Sequence, residues 1–185
     1  MILLKKALHG RAFFCTFVFM NTRIVRIEKE EDLLHLASMA GTIWRECYAS
    51  ILSGEQIEYM LSKFLSVDVL SRQVSVEGYE YYFVECDGEK VGFVGVKVEE
   101  KRLFLSKLYI KEEYRGRGIS SIALDFLEEK CRREALQAIY LTVNKYNDRA
   151  YEVYIKNNYK VIEDVVTDIG SGYVMDDYVM QKTIL

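Results

Sequence analysis

Tyr114-Arg115-Gly116-Arg117-Gly118-Ile119-Ser120 has the residue types and spacing of an anion-binding turn. It lies where a strand-like run, Arg102–Ile110, gives way to a helix-like run beginning near Ile119. Glycines let the backbone turn tightly and come close to a ligand, while the free N–H groups and dipole of a helix start favour a phosphate or pyrophosphate. Arg115 and Arg117 add positive charge. Downstream, a strand-like Ile139–Asn144 precedes Asn147-Asp148-Arg149-Ala150-Tyr151-Glu152-Val153-Tyr154, and Asn158-Tyr159 opens a further strand. Tyr154 in that stretch carries an O–H that is protonated at neutral pH and able to act as a general acid, the reference pKa of tyrosine being about 10.

Two familiar phosphate-binding patterns are excluded. No Gly-Lys-Ser/Thr follows the turn, so it is not a P-loop, and the dinucleotide-binding Gly-x-Gly-x-x-Gly is absent, Ala123 and Leu124 following instead. The order of the remaining motifs resembles the GNAT acyltransferase superfamily. Its pyrophosphate loop reads Arg/Gln-x-x-Gly-x-Gly/Ala and is followed by Asn-x-x-Ala-x-x-x-Tyr and usually Gly-Phe. Arg115, Gly118, Asn147, Ala150 and Tyr154 match; Ser120 replaces the second small residue and Asn158-Tyr159 replaces Gly-Phe. Ser120 is still small, and asparagine tolerates the left-handed backbone that ends many helices. The resemblance covers Tyr79 to Lys160; the preceding part of the chain shares only the general layout.

The resemblance implies a single-domain α/β fold with a mixed, mostly antiparallel sheet flanked by helices, and acetyl-CoA as cosubstrate. It implies that the backbone around Arg115, Gly116, Arg117, Gly118 and Ser120 holds the pyrophosphate. Leu108-Tyr109-Ile110 would pair with the pantetheine amides, one N–H there polarising the thioester carbonyl. Asn147 would contact the cofactor and Tyr154 would protonate the departing thiolate. Each residue has a plainer reading too: solvated charge for the arginines, a helix N-cap for Asn147, and core packing for Tyr154, one of 14 tyrosines.

The implied reaction is direct acetyl transfer to a primary amine in a ternary complex, with a small amine or polyamine favoured and a protein N-terminus or lysine also open. No cysteine in the motif region has a histidine partner, which disfavours a covalent enzyme intermediate. The alternative is a non-catalytic acyl-CoA-binding sensor or interaction module, which would need the Arg-Gly loop but not Tyr154. A nucleotide-binding regulator lacks its lysine. An amine is mostly protonated at neutral pH and must lose a proton; Glu85 and Glu113, near strand ends, are candidate bases and equally readable as surface charge. Trp44, Tyr48, Glu55 and Glu58 are candidates for an acceptor wall, and Asp176-Asp177 for the far ammonium of a diamine.

Composition agrees with such an enzyme. Half of the 185 residues are hydrophobic, enough for one full core, and the net charge of −3 disfavours extended nucleic-acid binding and suits a cationic substrate. Cys15, Cys47, Cys86 and Cys131 are scattered, with only His9 and His35 beside them, so no metal site is readable and free thiols in a cytoplasmic protein are expected. Lys5-Lys6 followed by Ala12–Met20 imitates a short signal peptide but is too short to span a bilayer and lacks a small-x-small cleavage pattern. Residues 1–19 read as an N-terminal extension and 20–185 as the domain. No membrane association is expected, and a homodimer is left open.

The elements expected to position these residues are a first strand over Thr22–Ile27, a helix from Glu30 through Trp44 and Tyr48, and a second from a Ser53/Gln56 capping box to Leu65. Tyr79–Cys86 and Lys90–Val98 form a hairpin about Asp87-Gly88, and Arg102–Ile110 follows a polar turn. Tyr79, Tyr81 and Phe83 share one face of their strand, as pocket lining or core. Ile119, Ile122, Ala123, Phe126 and Leu127 make an apolar helical stripe. Strands over Tyr159–Val166 and Asp176–Ile184 flank a flexible Gly170-Ser171-Gly172 loop; Val67–Gly78 fits no single pattern.

Overall fold

Alternating and helical hydrophobic periods give the chain one seven-stranded sheet with helices on both faces. The computed structural model describes residues 21–184; the expected extension, residues 1–19, lies outside the described residues. Elements run β1 (Thr22–Arg26), α1 (Glu30–Tyr48), α2 (Gly54–Leu65), α3 (Val67–Ser75), β2 (Tyr79–Cys86), β3 (Glu89–Glu99), β4 (Arg102–Ile110), α4 (Ile119–Arg133), β5 (Ala138–Asn144), α5 (Asp148–Lys156), β6 (Lys160–Gly170) and β7 (Tyr173–Thr183). The sheet order is β1-β2-β3-β4-β5-β7-β6. Only β4 and β5 are parallel. The mixed, mostly antiparallel sheet implied by the resemblance is the one observed.

Each face of the sheet carries its own core. Leu103, Leu105 and Val94 pack with Ala123, Leu124 and Leu127 of α4 on one side, while Phe83 and Phe93 meet Leu36, Ile43 and Trp44 of α1 on the other. That second core explains α3. Its residues showed no clear period, but Leu70 is wholly buried and Gln73 accepts a 2.5 Å hydrogen bond from the Tyr81 hydroxyl, so packing on β2 holds a helix that local pattern did not announce. The Ser53 cap is as expected, its Oγ accepting from Gln56 N at 3.1 Å.

Two expectations need correction. Ile122 is 41% exposed, and Leu124 is buried in its place, because α4 turns its Ala123/Leu124/Leu127 edge toward the sheet. Gly170-Ser171-Gly172 is not a flexible loop. Ser171 and Gly172 (φ 55° and 80°) make the tight two-residue turn of the β6–β7 hairpin, which runs longer than expected. The tip is fixed on α2 by the Tyr59 hydroxyl, which donates to Ile169 O at 2.6 Å.

β4 prepares the site. A register shift opposite Gly95/Val96 leaves Ser106 as an extra residue in β4, a bulge, and β4–β5 pairing stops at Phe104↔Tyr140. Bulges bend and twist a strand, so beyond this point β4 and β5 splay apart and open a wedge between their carboxyl ends.

Lys107, just past the bulge, is 7% exposed; its Nζ meets Ser106 Oγ at 3.0 Å and lies 5.7 and 5.8 Å from the Tyr79 and Tyr81 rings. Burial pushes its pKa down to about 8 from 10.5. Between these values the unfolded chain binds more protons, so stability rises with pH there and the full cost of the buried ammonium stands at pH 7. Lys107→Met is expected to gain about 1–3 kcal/mol at pH 7, several degrees in Tm, with the gain shrinking toward pH 10. Thermal melts at the two pH values check this, and a lower Tm at pH 7 would mean that the ring contacts outweigh desolvation.

Candidate active site

A cleft of about 560 Å³ occupies the wedge between β4 and β5. Leu108, Tyr109 and Ile110 form one wall, the turn at Arg115, Gly116 and Gly118 and the α4 start through Ser120 form its end, and Asn147, Val153 and Tyr154 of the α5 region form the other wall. Every predicted cofactor-binding residue lines it except Arg117, and so does the predicted catalytic Tyr154. The sequence separates these residues by up to a quarter of the chain; the splayed strands bring them together.

The turn is built for backbone approach. Gly118 occupies the N-cap of α4 at φ 79°, and Gly116 has φ 74°, both in the left-handed region. An added Cβ at Gly118 would meet nothing within 4 Å, so open space lies over it. The N–H groups of Ile119 and Ser120, the first of α4, have no partner within the helix, and both residues line the cleft, with the positive end of the helix dipole behind them.

The two arginines of the turn are both tied to neighbouring groups rather than simply solvated. Arg115 is 14% exposed at its side chain; Nε donates to Ile110 O at 2.7 Å, and Nη2 lies 2.9 Å from Cys47 Sγ and 3.8 Å from Glu46. It braces the turn against β4 and α1. Arg117 Nη2 donates to Glu113 O at 2.7 Å while the guanidinium lies over the Tyr114 ring. Arg149 and Lys156 are the other cations lining the cleft. Their place inside the Asn147–Tyr154 stretch and just after it was the signal available in the sequence. Cys47 and Glu46 were missed, since nothing local ties the end of α1 to Arg115.

On the other wall, Asn147 Oδ1 accepts from Ala150 N at 3.2 Å, the plain N-cap reading, and the residue lines the cleft as well. Tyr154 is 8% exposed, its ring 5.5 Å from Tyr159. Burial, helped by nearby Tyr48, raises its pKa well above the usual phenol value, so its O–H stays protonated. Behind β4, the Tyr48 and Tyr109 hydroxyls lie 3.1 Å apart, and Trp44 packs on both rings. Burial pushes the Tyr48 phenol up to about 12. The Cys47 thiol is likewise raised by burial, against the lowering effect of Arg115, which keeps it a thiol and a poor nucleophile.

None of the other acidic candidates lines the cleft itself. Glu85 pairs with Arg23 at 3.0 Å, Glu113 lines a separate small groove with His35, and Glu58 holds Arg45 at 2.6 and 2.8 Å. Glu55 is exposed in the first turn of α2. Asp176 and Asp177 lie inside β7, past its start at Tyr173, rather than opening the strand, and Lys145 holds Asp176 at 2.8 Å. Among the described residues no cluster of three or more His, Cys, Asp or Glu could hold a metal ion, and no helix is long and apolar enough to cross a membrane.

Comparison with known proteins decides the family. Residues 41–159 match the acetyltransferase (GNAT) family. The chain belongs to the GNAT acetyltransferase family. It is 30% identical over 150 residues to a spermidine N(1)-acetyltransferase of Thermoplasma acidophilum, covering 79% of this chain and 91% of the relative. Its fold superimposes with a TM-score of 0.75 on the PaiA N-acetyltransferase of that organism, solved in complex with coenzyme A; identity is 27%, over 89% of this chain and 99% of the other. The ribosomal-protein-S18-alanine N-acetyltransferase of Escherichia coli shares the fold at a TM-score of 0.63 and 18% identity, over 88% and 94% of the two chains. This GNAT chain is therefore an acetyl-CoA-dependent acetyltransferase. The left-handed glycine turn with open space over it, beside an exposed helix N-terminus, fits a pyrophosphate.

Proposed function

We propose that this enzyme transfers the acetyl group of acetyl-CoA directly to a primary amine in a ternary complex, and that the preferred acceptors are small amines and polyamines. The observation that carries the reading is Tyr154 on the wall of the wedge facing the carboxyl end of β4. A thioester laid along Leu108–Ile110 would have its carbonyl near a β4 N–H and its sulfur toward α5. Arg115, Gly116, Gly118 and Ser120 would hold the pyrophosphate through the turn, Arg117 acting only by bracing it, and Asn147 would contact the cofactor while capping α5.

Tyr154 then supplies the proton for sulfur as the C–S bond breaks. Its raised pKa does not disqualify it, because the burial that weakens the phenol as an acid also makes the departing thiolate more basic. The raised thiol pKa of Cys47 and its lack of a histidine support direct transfer over a cysteine-linked intermediate. Glu46, Glu112 and Asp148 on the cleft surface favour a cationic acceptor, in keeping with the relative named for spermidine.

A panel of spermidine, a simple diamine, a monoamine, free amino acids and short peptides, assayed by thiol release from acetyl-CoA, tests the reading. Spermidine and the diamine are expected to give the highest kcat/KM. A peptide N-terminus exceeding them would replace the polyamine assignment while leaving acetyl transfer intact.

A further inference from the structure

The acceptor reaches the cleft as an ammonium and must lose a proton before it attacks; Glu85 and Glu113, the acids foreseen as bases, do not line the cleft, and the acids that do, Glu46, Glu112 and Asp148, are exposed side chains at its surface. A different acid, one that does not itself line the cleft, has an unpaired buried oxygen. Asp177, in β7, is 6% exposed, and its Oδ1 has no hydrogen-bond partner. The other buried acid among the described residues, Glu128, is paired with Lys182 and with Arg132 at 3.3 Å. The cation nearest Asp177 along the sheet, Lys145, is held by Asp176 at 2.8 Å and Asp164 at 3.4 Å.

Its position suits a function. Asp177 pairs in register with Asn144, the last residue of β5, where β4 and β5 have splayed. Its charge acts on Tyr48, whose hydroxyl bonds that of Tyr109, a cleft residue. Trp44 Nε1, another buried polar atom without a partner, belongs to the same aromatic cluster. A buried carboxyl with an unpaired oxygen is costly and is tolerated chiefly where it has work to do.

We propose that Asp177 is the acceptor for the proton of the substrate ammonium, reached past the Tyr48–Tyr109 hydroxyl pair. This rests on the acetyl-transfer reading given above. The ammonium gives one proton to the Asp177 carboxylate, and its freed lone pair forms the N–C bond. The C–S bond breaks with its electrons going to sulfur, which takes the Tyr154 proton. The second amine proton, acidic once nitrogen is acylated, replaces the one lost by Tyr154, and Asp177 returns its proton to water between turnovers.

The titration of this carboxyl makes the role measurable. Burial first, and the neighbouring Asp176 second, push its pKa up from 3.8 to about 6, against lowering by Asn144 and Lys145. The facing groups are Tyr48 from α1, Asn144 from the end of β5, Lys145 just after it, and Asp176 in its own strand; its β6 partner, Val165, is uncharged. Asp177 is thus ionised above pH 6 and able to accept a proton. Because its folded pKa is raised, stability falls as pH climbs from about 4 to about 6, and at pH 8 the full cost of the buried charge stands.

Asp177→Asn and Asp177→Glu, assayed with saturating acetyl-CoA and spermidine as the acceptor probe, test the assignment. Asp177→Asn is expected to lower kcat about 10²-fold, to abolish the acid limb near pH 6, to leave the thermal shift by CoA unchanged, and to raise Tm at pH 8 but not at pH 4. Asp177→Glu should recover part of kcat and keep an acid limb. Parental kcat and pH profile in Asp177→Asn, or a Tm that falls at pH 8, would overturn the proposal and leave acetyl transfer standing. Absence of turnover by the parent enzyme with every amine of the panel would remove the amine-acetylation reading and this role with it.

Discussion

Tyr154→Phe is expected to lower kcat by about 10²-fold or more, the usual scale for a general acid, while the affinity for acetyl-CoA changes little. That loss corresponds to roughly 2.7 kcal/mol of transition-state stabilisation. The substitution is conservative for packing, since the buried ring keeps its contact with Tyr159 and only the O–H is removed. The effect should therefore fall on kcat and kcat/KM together, the signature of an interaction made in the transition state. It should also depend on the leaving group: a thioester whose thiol has a lower pKa needs less protonation and should narrow the gap between variant and parent. Because burial raises the phenol's pKa, ionisation of Tyr154 should impose no fall in kcat between pH 7 and 9. An unchanged kcat where chemistry limits the rate would assign Tyr154 to core packing.

Much of this site was legible because its residues announce themselves by backbone need. Gly116 and Gly118 mark left-handed positions, Asn147 caps a helix, and Asp87-Gly88 closes a hairpin; each is a local rule with a local residue. Less visible was what long-range packing decides. The helix α3 exists through Leu70 and Gln73 against β2, and the inward turn of Arg115 depends on Cys47 and Glu46, far away in sequence. The separation of Asp176 from Asp177 is of the same kind. Adjacent residues in a strand point to opposite faces, so one meets Lys145 and the other is buried near Tyr48, a difference that depends on how β7 is placed in the sheet. The candidate bases Glu85 and Glu113 failed for a related reason, since proximity to a strand end does not say which end of the sheet opens.

Gly118→Val should abolish the thermal protection given by CoA. In the parent, CoA at a hundredfold excess over its Kd adds about 2.7 kcal/mol, a Tm shift of roughly 5–10 °C for a chain of this size. Two costs of the substitution are separable. Gly118 sits at φ 79°, a conformation that a β-branched residue adopts only with strain, about 1–3 kcal/mol, so the unliganded Tm should fall modestly. Apart from its chain neighbours, no protein atom lies within 4 Å of an added Cβ, so the β-carbon itself meets open space. The valine side chain would instead fill the space over the turn, where a pyrophosphate must approach the α4 N–H groups. Ligand protection should therefore vanish even though the fold persists. Gly118→Ala separates the effects further: it carries most of the backbone strain with less bulk, and should keep part of the CoA shift. A Gly118→Val enzyme that melts a few degrees lower but retains the full CoA shift would show that the turn is strained for another reason and that the pyrophosphate is held elsewhere, with Arg149 and Lys156 on the facing wall as the next residues to substitute.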